Sequence, residues 1–133
     1  MKIAIILISF LSTLAINAQT IYQVEDSNGN YDVKVLDEEP DLRIMYLNFR
    51  RNIYYPALAR ENEIQGTTFI SILVDTNGKL LSSEISKGFY KACDDEALRA
   101  VRLLKNIKIC EPIKINKIPV KVKFEIPIKF SLG

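Results

Sequence analysis

Apolar and polar positions alternate most strictly near the C-terminal end. Val120, Val122, Phe124 and Ile126 take turns with Lys121, Lys123 and Glu125. A period of two with one apolar side predicts a half-buried strand. Thr67–Val74 is rich in β-branched and aromatic residues and is apolar on both sides, which predicts a covered strand. Asp75-Thr76-Asn77-Gly78 then reads as a hairpin turn, and Leu80–Ser86 returns as a more polar strand with Ile85 as its best core candidate. Leu42, Met45, Tyr46, Phe49 and Ile53 recur at spacings of three and four, the stripe of an amphipathic helix that Pro40 and Asp41 would start. Arg43, Asn48, Arg50 and Arg51 fall on the opposite side of that helix.

Between these elements lie shorter signals. Pro56 suits the first turn of a short helix through Ala57, Leu58 and Ala59, because its missing N–H is not needed there. Ile64 and Gly66 close it, with Gly66 expected to relieve backbone strain. Gly88 ends the second strand. Asp94, Asp95 and Glu96 open the next helix and Arg99, Arg102 and Lys105 follow along it, a charge order that complements the helix dipole. Ala97, Val101 and Leu104, joined by Leu98, form its apolar face, and Pro112 and Pro119 bracket a loop. Near the N-terminus, Ile21–Val24 and Tyr31–Val35 flank Ser27-Asn28-Gly29-Asn30. That pattern fits either a hairpin or a loose acidic arm. Glu38-Glu39-Pro40-Asp41 marks a boundary. The fold class is α+β: helices with a small antiparallel sheet, and the N-terminal hairpin as an extra.

The first residues change the picture. Lys2 precedes an almost wholly apolar run, Ile3–Ile16, and small Ala18 follows. This is the pattern of a secretory signal peptide, and the run falls short of the roughly 20 residues of a membrane-spanning helix. The expected organisation is a signal peptide over 1–18, an arm or hairpin over 19–37 and a domain over 38–133. The two cysteines then sit in an oxidising compartment. Cys93 precedes the last helix and Cys110 follows it, so about twelve helical residues would hold them roughly 18 Å apart. A bridge would need the chain to double straight back. Small buried apolar residues are the simpler reading.

Charge is uneven. Gln19–Asp41 carries seven acidic residues and one basic, whereas Ala97 onward carries nine basic and two acidic. The basic third fits a solvated face or the steering of an acidic partner. No histidine occurs, and no glycine-rich phosphate loop or nucleophile motif is present. Asp94, Asp95 and Glu96 stand on adjacent helical positions that do not converge. The chain therefore reads as a non-enzyme without a metal or cofactor.

Several pieces, in order and with compatible spacing, carry a resemblance: Asn52 to Asn62 with its Tyr55-Pro56, Ile64-Gln65-Gly66, Asp75-Thr76-Asn77-Gly78, Asp94 to Leu98, and Pro119 through Val122 to Ile128. Together they are similar to the C-terminal domain of the TonB energy-transducer family, over about Glu38 to Phe130. The resemblance implies a three-stranded antiparallel sheet with helices on one face and the last strand as an exposed edge. It implies that this edge captures an extended segment of an outer-membrane receptor or another envelope protein. By motif, it assigns partner binding to Arg50, Asn52, Tyr55 and Pro56, and along the edge to Lys121, Val122, Lys123, Phe124 and Glu125. Tyr55-Pro56 fits equally a helix start with a core anchor. The same edge offers a route to a homodimer, and nucleic acid is not an expected partner.

Three departures from the family pattern shape the functional expectation. The N-terminus reads as a cleavable signal where transducers have an anchor. Only about twenty residues separate it from the domain, a reach of roughly 70 Å at about 3.3 Å each. Cys110 stands where the family commonly has tryptophan, and Ile113 and Lys117 replace loop glycines. The expectation is a periplasmic, TonB C-terminal-like binding module linked to TonB-dependent transport. The alternative is an inner-membrane-anchored transducer with its N-terminal segment uncleaved.

Overall fold

The computed structural model describes residues 4–6 and 20–133, so the expected signal peptide lies, apart from residues 4–6, outside the described residues. In chain order the elements are β1 (Ala4–Ile6), β2 (Gln23–Glu25), β3 (Tyr31–Val33), α1 (Arg43–Asn52), α2 (Ala57–Glu61), β4 (Gly66–Val74), β5 (Leu80–Lys87), α3 (Lys91–Arg102), β6 (Lys114–Ile115), β7 (Ile118–Pro119) and β8 (Val122–Ser131). The fold is α+β. Three long strands, β8, β4 and β5, form the expected antiparallel centre.

The sheet is larger than the expected three strands. Its order is β3-β2-β8-β4-β5, and β1 also pairs with β8, opposite Lys129–Ser131. The last strand is therefore an interior strand over part of its length. The reason is the N-terminal hairpin, which folds back onto it. Asp26 organises the hairpin turn: its Oδ1 accepts the backbone N–H of Asn28 and of Asn30.

Alternation places the core. On one sheet face lie Ile70, Ile72 and Val74 of β4 with Val122, Phe124, Ile126, Ile128 and Phe130 of β8, all buried. Leu80 is fully buried, whereas Ile85 is only half-buried. An irregularity in pairing between Leu73 and Val74 turns Leu80 inward. Burial of an aliphatic or aromatic side chain stabilises by about 1.5–3 kcal/mol, so this row dominates the fold. The helices cover the same face: α3 lies against β4 and β5, and α1 and α2 pack on α3. From α1, Met45, Tyr46 and Phe49 enter the core.

Four local expectations are corrected. Gly66 does not have a positive φ. A Cβ there would lie 2.4 Å from Cδ2 of Phe89, so close approach of that ring is what requires glycine. The left-handed residue after α2 is Glu63, φ 53°. The last helix starts at Lys91, three residues before Asp94, so Cys93 lies inside it, buried. The segment between Pro112 and Pro119 is a small hairpin, β6–β7, and its turn residues Asn116 and Lys117 both have positive φ. Asp37 stabilises that turn by accepting the N–H of Asn116 on Oδ1 and of Lys117 on Oδ2, each at 2.8 Å.

Candidate partner-binding site

The pairing registers fix which backbone groups of β8 point where. Residues 122 to 130 pair with β4 in one unbroken register. On the other side, the Glu25 N–H donates to the Lys121 carbonyl at 3.1 Å. Alternate residues of a strand direct their N–H and C=O to the same side. Lys121, Lys123, Glu125, Pro127 and Lys129 therefore aim their backbone groups away from β4. The proline without an N–H falls in this outward row, where the β4 ladder loses nothing.

Three stretches divide that outward row. Lys121 and Lys123 face Glu25 and Gln23 of β2. Lys129 and Ser131 face β1. Phe124–Ile128 has no strand on its outer side among the described residues. Side chains hold the hairpin in place as well. Lys121 Nζ lies 3.0 Å from Glu25 Oε2, and this partner raises the lysine pKa above its ordinary value. Lys123 Nζ stands 4.4 Å from the Tyr31 ring centre, within cation–π range. Beneath them Val24 is 6% exposed, and Tyr22 meets buried Phe124 edge-on at 5.1 Å. Val122 and Phe124 thus belong to the core. Glu125 is exposed and accepts the Ser86 hydroxyl at 2.6 Å.

The second expected group splits in two. Arg50 and Asn52 are exposed at the end of α1. Tyr55 is 1% exposed: it donates its hydroxyl to the Ile64 carbonyl and packs edge-on against Phe130. Pro56 is buried beside it. Both side chains face the interior, as the core-anchor reading has it. The structure thus joins Tyr55 to β8 at Phe130, not at Lys121–Glu125.

Sequence reasoning missed the residue this segment does present. Tyr54 is 55% exposed. Its N–H donates to Glu96 Oε2 at 3.0 Å, and Arg99 Cζ lies 5.5 Å from its ring centre. Glu96 is buried and also accepts Arg99 Nε at 2.8 Å, while Arg99 donates to the Asn52 carbonyl. One carboxylate and one guanidinium from α3 thus hold Asn52–Tyr54 in place. The signal was available: Ile53, Tyr54 and Tyr55 alternate in, out, in. Two positions read as helix-opening acids therefore do other work. Glu96 orders this segment, and Asp94 accepts the Thr68 hydroxyl and the Phe89 N–H.

Two remaining chemical candidates are quiet. Cys93 and Cys110 are buried free thiols, and burial pushes both up to about 11, so neither is a ready nucleophile. A cleft of about 820 Å³ between residues 37–41 and 111–117 is rimmed by Asp37, Glu38, Glu39, Asp41 and Glu111. Asp37 is spent on the β6–β7 turn, and Asp41 on Arg43. No group of carboxylates, cysteines and histidines able to hold a metal ion occurs among the described residues.

Residues 51–132 match the family described as Gram-negative bacterial TonB protein C-terminal. Over 117 residues the chain is 32% identical to Protein TonB of Vibrio cholerae serotype O1, an alignment that covers 87% of this chain. The chain spans 45% of that relative's length. No solved structure matches it.

Proposed function

Because the chain belongs to the Gram-negative bacterial TonB protein C-terminal family, we propose that it is a periplasmic protein-binding module linked to TonB-dependent transport. Its partner is an extended segment of an outer-membrane receptor or another envelope protein, taken up by strand addition along β8. It acts by binding and carries out no chemistry. The observation that carries this reading is the outward row of backbone groups on β8, with no strand on the outer side of Phe124–Ile128 among the described residues.

The open stretch alone is a poor acceptor. Its outward residues are Glu125 and Pro127, and Pro127 has no N–H to give. A partner strand of useful length must therefore extend toward Lys123 and Lys121 and displace β2. The hairpin is built to yield. Its strands are three residues each, and isolated two-stranded hairpins are marginal in water. Exposed Arg50 and Asn52, with Tyr54, supply flanking contacts on this reading, while Tyr55 and Pro56 act by fixing Tyr54. Cleavage after Ala18 would remove β1 and open Lys129–Ser131 as well.

The test is a titration of isotope-labelled protein with extended peptides drawn from receptor N-termini, followed through backbone amides. The expected result is saturable shifts at Lys121, Lys123 and Glu125 together with release of the Glu25 amide. Saturable binding that moves α3 amides and leaves these untouched would overturn the reading.

A further inference from the structure

With β2 covering β8, one free edge of the sheet is β3. Its pairing to β2 fixes its parity. The Asp26 N–H donates to the Asn30 carbonyl and the Lys34 N–H to the Tyr22 carbonyl. The even residues 30, 32 and 34 thus face β2, Tyr31 and Val33 turn their N–H and C=O outward, and the same parity carried two residues past the end of β3 gives Val35 that direction too. No strand lies beyond them among the described residues. An uncovered edge with a full set of donors is a template for another strand.

We propose that this edge recognises a second copy of the chain. The argument is self-complementarity. Antiparallel pairing about a two-fold axis at Val33 sets Val33 against Val33 and Tyr31 against Val35, all with outward backbone groups. The same register sets Asp32 opposite Lys34 of the second copy, twice. Both residues are exposed, and neither has an ion-pair partner among the described residues. Sliding the register by two residues in either direction would keep the backbone pairing possible. It would also place Asp32 against Asp32 or Lys34 against Lys34, and like charges directly opposite are destabilising. The charges thus select one register. On one sheet face, Val33 and Val35 are 66% and 89% exposed, an apolar strip that the pairing covers. The contact is isologous and closes as a dimer, not a fibre. It uses a different edge from β8, and its test needs no receptor segment.

Five residues of edge bury little surface, so the dimer is a weak, concentration-dependent one. The experiment is sedimentation equilibrium of the purified full chain over a wide concentration range. The wild type should show reversible monomer–dimer exchange. Asp32→Lys and Lys34→Asp each turn two attractive pairs into two repulsive ones, and each should weaken self-association roughly tenfold or more. Mixing the two single variants should restore association, because the Lys-Lys edge then meets the Asp-Asp edge. The double exchange Asp32→Lys/Lys34→Asp should also restore it. Circular dichroism melts should be unchanged, since both side chains are exposed. A monomer at every concentration, self-association indifferent to these changes, or a mixture that fails to recover would each overturn the proposal.

Discussion

If β2 competes with the partner for Lys121 and Lys123, loosening the hairpin must strengthen partner binding while weakening the fold. Val24 is the place to perturb. It is 6% exposed, pairs with Val122 in the ladder and is the one buried residue of the hairpin strands. Val24→Ala removes two carbons from that site. At about 0.8 kcal/mol per buried methylene the docked hairpin loses about 1.5 kcal/mol, roughly tenfold in its closed-to-open equilibrium. Apparent affinity rises with the fraction of molecules whose edge is free. A hairpin closed in most wild-type molecules therefore predicts about tenfold tighter peptide binding in the variant. Fluorescence anisotropy with a labelled receptor-segment peptide measures the affinity, and hydrogen exchange at the Glu25 amide reports the opening. The two readouts must move together. Faster exchange at Glu25 with unchanged or weaker peptide affinity would refute competition and leave the hairpin as a plain extension of the sheet.

The fold makes three further predictions. Gly66→Ala forces Phe89 aside, and Phe89 leans on Phe130 at 6.3 Å, so thermal or denaturant melts should show a loss of about 1–3 kcal/mol. Glu63→Gly should do the opposite. Glu63 takes the left-handed position of a helix end whose Ile64 N–H reaches back to Ala59 and whose own N–H reaches Arg60, and glycine there should add about 1 kcal/mol. Finally, burial raises the thiol pKa of Cys93 and Cys110 from 9.0 to about 11, so the folded protein binds these protons more tightly than the unfolded chain. That stabilisation is complete below pH 9 and is lost as pH rises to about 11; the melting temperature should fall across that window, and less steeply in the Cys93→Ala/Cys110→Ala variant.

What was legible in the sequence was whatever a short window decides. The stripe of Met45, Tyr46 and Phe49, the alternation of β8 and the Asp75-Thr76-Asn77-Gly78 turn each state their structure within a few residues. The turn is as expected: Asp75 Oδ1 accepts the N–H of Asn77 and of Lys79, and Gly78 has φ +84°. Gly66 shows the limit. The same glycine satisfies a backbone strain or a neighbour's bulk, and only the position of Phe89, twenty-odd residues on, tells which. Asp37 and Asn116 are further apart still, so the turn they build looked like a loop between prolines.

The edge of β8 is the sharpest case, because there the local reading was right and the conclusion drawn from it incomplete. Alternation and the proline at 127 are enough to mark the outward row. An outward row is still not a free one, and nothing near Lys121 in sequence announces that Glu25 will bond to it. The hint lay a hundred residues away, in two short β-prone runs around Asn28-Gly29 with acids beside them. Glu25 and Lys121 are complementary charges at paired positions, and Val24 is an apolar residue with the parity to join Val122. A hairpin needs a third strand to be stable, and β8 is a strand with one side unpaired. Each lacks what the other has, which is why the arm closes the edge, and also why a partner strand offering the same backbone groups over a longer run can take its place.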